Sequence, residues 1–229
     1  MRLDAYLARC TGLSRKEARR AVAAGRVAIA GHKADRASQP VPGDAPVTLD
    51  GESVALPGHI YLMLYKPANV LSATTDASQP VVNDLLPADL ATRVHPVGRL
   101  DRDTTGLLLM TSDGQWSHRI TSPRHHCPKT YRVTLAEPLG DDARHRLENG
   151  LRLRREEQAL KPAHVGLVGD RVIDLTITEG RYHQVKRMLA AVGNHVQALH
   201  RHRVGNLALD PDLAPGEYRH LNQAEIDNL

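Results

Sequence analysis

His95-Pro-Val-Gly-Arg-Leu-Asp-Arg-Asp-Thr-Thr-Gly-Leu-Leu-Leu109 is the stretch on which the reading of this chain turns. Gly98 and Gly106 bracket a polar segment, and an apolar run follows at once. That order describes a loop held at the mouth of a sheet, with a strand leading away from it. Asp101 and Asp103 lie inside the loop, with Arg99 and Arg102 as neighbours. A carboxylate among guanidinium groups stays ionised and is available as a nucleophile or base. The same residues also read as a structural ion pair in a turn, and residue chemistry by itself leaves both readings open.

Outward from this loop, strands are predicted at Tyr61–Tyr65, Leu107–Thr111, Tyr131–Leu135, Val172–Thr178 and Val196–Leu199. Helices are predicted around Trp116–Thr121, Asp141–Asn149 and His183–Val192. Asp113-Gly114 and Asn149-Gly150 are tight-turn signals. Strands without regular βαβ alternation predict an α+β class with a mixed, largely antiparallel sheet. Leu56-Pro57-Gly58-His59 reads as a linker, which divides the chain into residues 1–57 and 58–229.

The front part carries its own signals. Leu3, Tyr6 and Leu7 have the spacing of a short amphipathic helix. Ser14 with Glu17 three residues on is a capping box and opens a second helix. Ala18, Ala21 and Val22 form that helix's apolar stripe, and Gly25 stands where a C-terminal glycine is expected. Arg15, Lys16, Arg19 and Arg20 fall at and just after the helix start, where the dipole and the free backbone N–H groups favour phosphate. Val27–Ala30, turned by Gly31-His32, reads as a strand and hairpin, and Pro42-Gly43-Asp44 and Asp50-Gly51 mark further turns.

Charge is distributed unevenly. Residues 1–36 hold nine Lys/Arg against three acids, a local balance of +6 where the whole chain has +4. A basic surface of this kind is the electrostatic footprint of a nucleic-acid binder, although a solvated helical face has the same composition. With six Tyr, one Trp and no Phe, the chain lacks the aromatic platforms of a general single-strand binder. No run approaches 18 apolar residues, and MRLDAYLARC does not read as a secretory signal. Cys10 and Cys127 are too few and too far apart for a disulfide framework, so a reducing cytoplasm is the expected location. His118, His125, His126 and Cys127 lack the paired spacing of a zinc site, and RNA contact or loop structure is the preferred reading. His200-Arg-His-Arg203 reads as a basic edge near RNA. No P-loop motif occurs.

Three segments carry a resemblance. RLDAYLA, the SRKEARRAVAAGRVAIAG run and the PGD turn before Val47 resemble the S4 RNA-binding domain. GRLDRDTTGLLLMTSDG resembles the signature of pseudouridine synthases of the RsuA type, which act on 16S ribosomal RNA. The likeness continues through WSHRITSPRHHCPKTYRVTL and EGRYHQVKRMLAAVGNHV to DLAPGEYR, so it spans essentially the whole chain.

The resemblance implies specific roles. Asp101 matches the family's catalytic aspartate, and Tyr131 the aromatic residue that stacks on the target base. Lys186 stands where related subfamilies carry an arginine paired with the aspartate, so either Lys186 or Arg187 makes that contact. Arg99 is implied as a contact to the flipped nucleotide or to phosphate, and Asp103 as structural. The reaction breaks the N1–C1′ bond of a uridine, turns the base and rejoins it through C5. It needs no cofactor and no metal. Asp101 either attacks C1′ or removes the 2′ proton. The implied partner is 16S ribosomal RNA or a small-subunit assembly intermediate, with no membrane involved and a monomer as the default. A sister enzyme acting on 23S RNA and a non-catalytic S4-containing ribosome-binding or assembly factor are the alternatives.

Overall fold

In a computed structural model of the chain, residues 1–42, 45–55, 58–153 and 156–229 are described. They form two units, Met1–Gly58 and His59–Leu229, divided one residue beyond the boundary read from sequence. Gly43-Asp44 of the predicted turn and Leu56-Pro57 of the predicted linker lie outside the described residues.

The front unit holds helices α1 (Leu3–Thr11) and α2 (Arg15–Ala23) and a four-stranded antiparallel sheet of order β2-β1-β3-β4. Its strands are β1 (Val27–Ile29), β2 (His32–Lys33), β3 (Val47–Leu49) and β4 (Glu52–Val54). The capping box forms as its sequence predicts. Ser14 Oγ accepts from the Glu17 backbone N–H at 3.3 Å, and Glu17 Oε2 accepts from that of Ser14 at 2.8 Å. Gly25 follows the helix with φ +72°, the left-handed region that a side chain disfavours. Leu3, Leu7, Ala18, Val22, Val27 and Val47 make the core of this unit.

The second unit is built on a nine-stranded sheet. Its elements are β5 (Tyr61–Lys66), α3 (Ala88–Ala91), β6 (His95–Pro96), β7 (Thr105–Thr111), α4 (Gly114–Thr121), β8 (Lys129–Leu135) and α5 (Asp141–Asn149). There follow β9 (His164–Gly169), β10 (Val172–Ile177), α6 (Gln184–Ala191), β11 (Val196–Val204), β12 (Leu207–Ala208), β13 (Tyr218–His220) and α7 (Gln223–Asp227). The main path runs β13-β5-β7-β11-β8-β10-β9, with β12 on β11 and β6 on β7. The β7–β11 pair is parallel, and the other pairs are antiparallel. The α+β class is therefore the architecture of the chain.

The apolar run in β7 is continuous because both faces of the sheet are covered. Leu108 and Met110 join a core with Leu147 of α5 and Val185, Met188 and Leu189 of α6. Leu107 and Leu109 face the other way, against Trp116 and Ile120 of α4. Burying each such leucine stabilises the unit by roughly 1.5–3 kcal/mol. Where β7 meets β11, Thr105 pairs with His200 and Gly106 with Arg201. A Cβ on Gly106, whose φ is +107°, would stand 2.2 Å from the Arg201 carbonyl oxygen. The second glycine of the motif is thus fixed by the close approach of two strands.

Three local readings change. Asp113-Gly114 is not a hairpin turn: Asp113 caps α4, accepting from the backbone N–H groups of Gln115 and Trp116. Asn149-Gly150 closes a helix, with Gly150 at φ +89°. The 200–203 stretch is not an edge, since β11 lies between β7 and β8 and Arg201 is 3% exposed.

Candidate active site

The loop between β6 and β7 forms one wall of a small cavity of about 70 Å³. Arg99, Leu100, Asp101 and Thr104 line it from that loop, Tyr131 from β8, and Arg181 and His183 from the turn before α6. Asp101 and Tyr131, singled out in the sequence, are thereby brought together. Lys186, in the first turn of α6, reaches the same carboxylate: its Nζ lies 3.4 Å from Asp101 Oδ2. His183 Nε2 lies 3.5 Å from the other oxygen. The described ion pairs of Asp101 are with these two residues, not with Arg102 or Arg99 beside it in sequence.

Asp103 is engaged as well. It accepts from Lys186 Nζ at 2.6 and 2.8 Å. That hydrogen bond, acting against burial, lowers its carboxyl below the ordinary value. Arg187 points elsewhere, to Glu156 Oε1 at 2.7 Å and the Tyr182 carbonyl at 3.3 Å. Of the two cations left open by the sequence, Lys186 is therefore the one beside Asp101.

Tyr131 is 8% exposed. The Arg201 guanidinium lies over its ring, 5.9 Å from the centroid, and donates through Nε to the Leu107 carbonyl at 2.9 Å. A buried cation over the ring is electrostatically favourable.

Two residues at this loop escaped the sequence reading. Lys66, at the end of β5, is fully buried. Its Nζ donates to the carbonyls of Pro67 at 3.0 Å, Arg102 at 3.2 Å and Thr104 at 2.9 Å. Three acceptors for three ammonium protons hold both sides of the 101–104 turn. Desolvation pushes this lysine down from 10.5 to about 8, partly offset by the charges of Asp103 and Asp101. The signal for it was in the sequence, because Lys66 is in phase with the inward Leu62 and Leu64. His183 is the other. It takes a left-handed conformation, φ 46° and ψ 37°, immediately before α6.

In the front unit, Arg15 and Arg19 have a partner that the phosphate-site reading did not include. Asp4 is fully buried and accepts from Arg2, Arg15 and Arg19 at 3.2, 3.1 and 3.0 Å. Burial by itself would raise the Asp4 pKa, but the hydrogen bonds from Arg2, Arg19 and Arg15 outweigh it and hold the carboxyl well below the usual range. Lys16 and Arg20 are exposed on the same helix. Among the described residues, no group of three or more His, Cys, Asp or Glu is placed to hold a metal ion. No described helix is long and apolar enough to cross a membrane.

The chain belongs to the RNA pseudouridylate synthase family, whose model matches residues 60–191, and an S4 domain model matches residues 1–47. It is 49% identical to ribosomal small subunit pseudouridine synthase A of Escherichia coli strain K12, over 100% of both chains. To the protein of the same name from Vibrio parahaemolyticus it is 47% identical, over 100% of this chain and 99% of that one. A solved pseudouridylate synthase matches with a TM-score of 0.73 and 43% identity, over 100% of this chain and 99% of the other.

Proposed function

We propose that the chain converts one uridine of 16S ribosomal RNA to pseudouridine, in the cytoplasm and as a monomer, with Asp101 as the reacting group. The end-to-end match to relatives named for the small ribosomal subunit supports the substrate. The observation that carries the chemistry is that Asp101 and Tyr131 line one cavity, with Lys186 against the Asp101 carboxylate.

In this reading the uridine leaves its helix, which costs roughly a few kcal/mol, and its base enters beside Tyr131. Asp101 then attacks C1′ or takes the 2′ proton, and on both routes its carboxylate is the nucleophile or the base. The N1–C1′ bond breaks and the base turns; C5 then bonds to C1′ as the Asp101–C1′ bond breaks or, on the other route, as Asp101 returns the proton to C2′, and the C5 proton leaves while N1 gains one. The product is an isomer of the substrate. Arg99, at the cavity, holds the flipped nucleotide or its phosphate. The basic face of α2 adds phosphate contacts that offset flipping.

The test is to map pseudouridines in 16S RNA by chemical modification and primer extension, from cells with and without the gene. One site that vanishes with the gene, and returns with parent but not Asp101→Asn, is the expected result. An unchanged 16S pattern, or a lost site in 23S RNA, would reject the substrate.

A further inference from the structure

Six Tyr and one Trp are the chain's large aromatic residues. Among the described residues, which include all of them, only Tyr182 is exposed, at 74%. A single exposed apolar side chain is ordinary and carries no message. Tyr182 is distinguished by how it is held. Its ring lies flat on the imidazole of His183, with centroids 3.8 Å apart and planes 17° from parallel. That imidazole reaches Asp101 at 3.5 Å.

The turn is fixed from behind. Arg187 donates to the Tyr182 carbonyl and pairs with Glu156, which also binds Arg181 at 3.0 Å. Arg181 and His183 line the cavity, and the Tyr182 ring, stacked on His183, lies next to that lining without being part of it. One face of the ring is covered by an imidazole, and the ring remains largely open to solvent.

We propose that Tyr182 is a stacking platform for the nucleobase next to the target uridine. The inference rests on the RNA substrate proposed above. When a uridine flips out, its neighbour loses a stacking partner, and an aromatic face next to the cavity lining replaces it. Every base has such a face, so this contact sets affinity and placement rather than sequence. The stack ends on His183, so a seated base also buttresses the imidazole that touches Asp101.

The test compares the intact parent with Tyr182→Phe, Tyr182→Leu and Tyr182→Ala on a 16S RNA fragment containing the mapped target, reading Kd and single-turnover rate. Leu and Ala are expected to lose about 5- to 150-fold in rate at low RNA, the range of one lost base stack. Phe keeps the ring and should restore most of that loss. Single abasic nucleotides are then placed on either side of the target. The parent should lose affinity at one of them, and Tyr182→Ala should lose nothing more there. Equal losses for Phe and Ala, an Ala variant within twofold of the parent, or an Ala loss undiminished on both abasic RNAs would overturn the platform. A parent that binds this RNA without converting it counts against the proposed substrate instead, and the Kd comparison still decides the stacking.

Discussion

The ammonium of Lys186 lies 3.4 Å from Asp101 and 2.6 Å from Asp103. One cation thus serves two carboxylates of the same turn, and its shorter contact is with the one that has no proposed part in the reaction. The two aspartates can therefore be separated by experiment. Asp101→Asn is expected to lower the single-turnover rate by at least about 10²-fold with RNA affinity within a few-fold, since it removes the nucleophile or base itself. Asp103→Asn leaves Lys186 with Asp101 alone and should stay within about tenfold of the parent, a step of about 1.4 kcal/mol. Near-equal loss at both positions would contradict the assignment.

Lys186 itself should act through charge. Its contact with Asp101 is an ion pair at 3.4 Å, so Lys186→Met should slow the reaction by about tenfold or more, a step of about 1.4 kcal/mol. Lys186→Arg keeps the cation and should recover most of the rate. If Met and Arg are equally slow, the position matters for shape rather than for charge.

Lys66 gives a pH signature with two opposed directions. Its value is about 8 in the folded chain against 10.5 for a free lysine. The folded chain therefore releases this proton first, and between those values the unfolded chain binds more protons. Stability from this group accordingly rises with pH through that window, as the penalty of burying an ammonium is relieved. The 101–104 turn meanwhile loses a charged donor, so turnover should fall as pH rises through about 8. Rates and thermal unfolding of the parent and Lys66→Met from pH 7 to 10.5 test this. The variant should be slow throughout and lack both limbs, and a parent rate that is flat across pH 8 would show that the ammonium is not needed.

These residues mark what the sequence could and could not reveal. The strand in the Leu107–Leu109 run was legible because its continuous apolar pattern needs two covered faces, which the sheet provides. Asp101 and Tyr131 were legible through the resemblance, while the choice between Lys186 and Arg187 was not. Adjacent residues on a helix point about 100° apart, and only packing says which one faces the loop. Lys66 was passed over because a lysine ending a strand normally reaches solvent. The 200–203 stretch looked like a basic edge because four polar residues hide the fact that β11 runs between two other strands. His183 was hidden for a different reason: it reaches Asp101 from the left-handed turn into α6, far from Asp101 in sequence.

The front unit yields the last prediction, because the structure separates the four basic residues of α2 into two pairs. All four are exposed, but Arg15 and Arg19 bind the buried Asp4, whereas the described ion pairs include neither Lys16 nor Arg20. If the helix faces phosphate, replacing Lys16 and Arg20 with alanine removes two phosphate contacts. The log–log dependence of RNA affinity on salt should then flatten by about 1.5 to 2 units. Hydrogen exchange of the α1 and α2 amides in the intact chain should not change. Arg15→Ala with Arg19→Ala should do the reverse in the second measurement: Asp4 keeps only Arg2, and exchange across both helices should accelerate. The acid limb identifies the cause. Asp4 has a depressed value in the folded chain, so its stabilisation is present above the ordinary carboxylate value of 3.8 and is lost as pH falls towards the depressed one. The exchange difference between parent and the Arg15/Arg19 double variant should therefore shrink on acidification. At saturating RNA both double variants should turn over at nearly the parent rate, because Asp101, Tyr131 and Lys186 are untouched and only binding of the ground state is weakened. An unchanged salt slope in the Lys16/Arg20 variant would mean that this face of α2 does not meet RNA, and a collapsed rate at saturation would mean that the front unit takes part in building the active site.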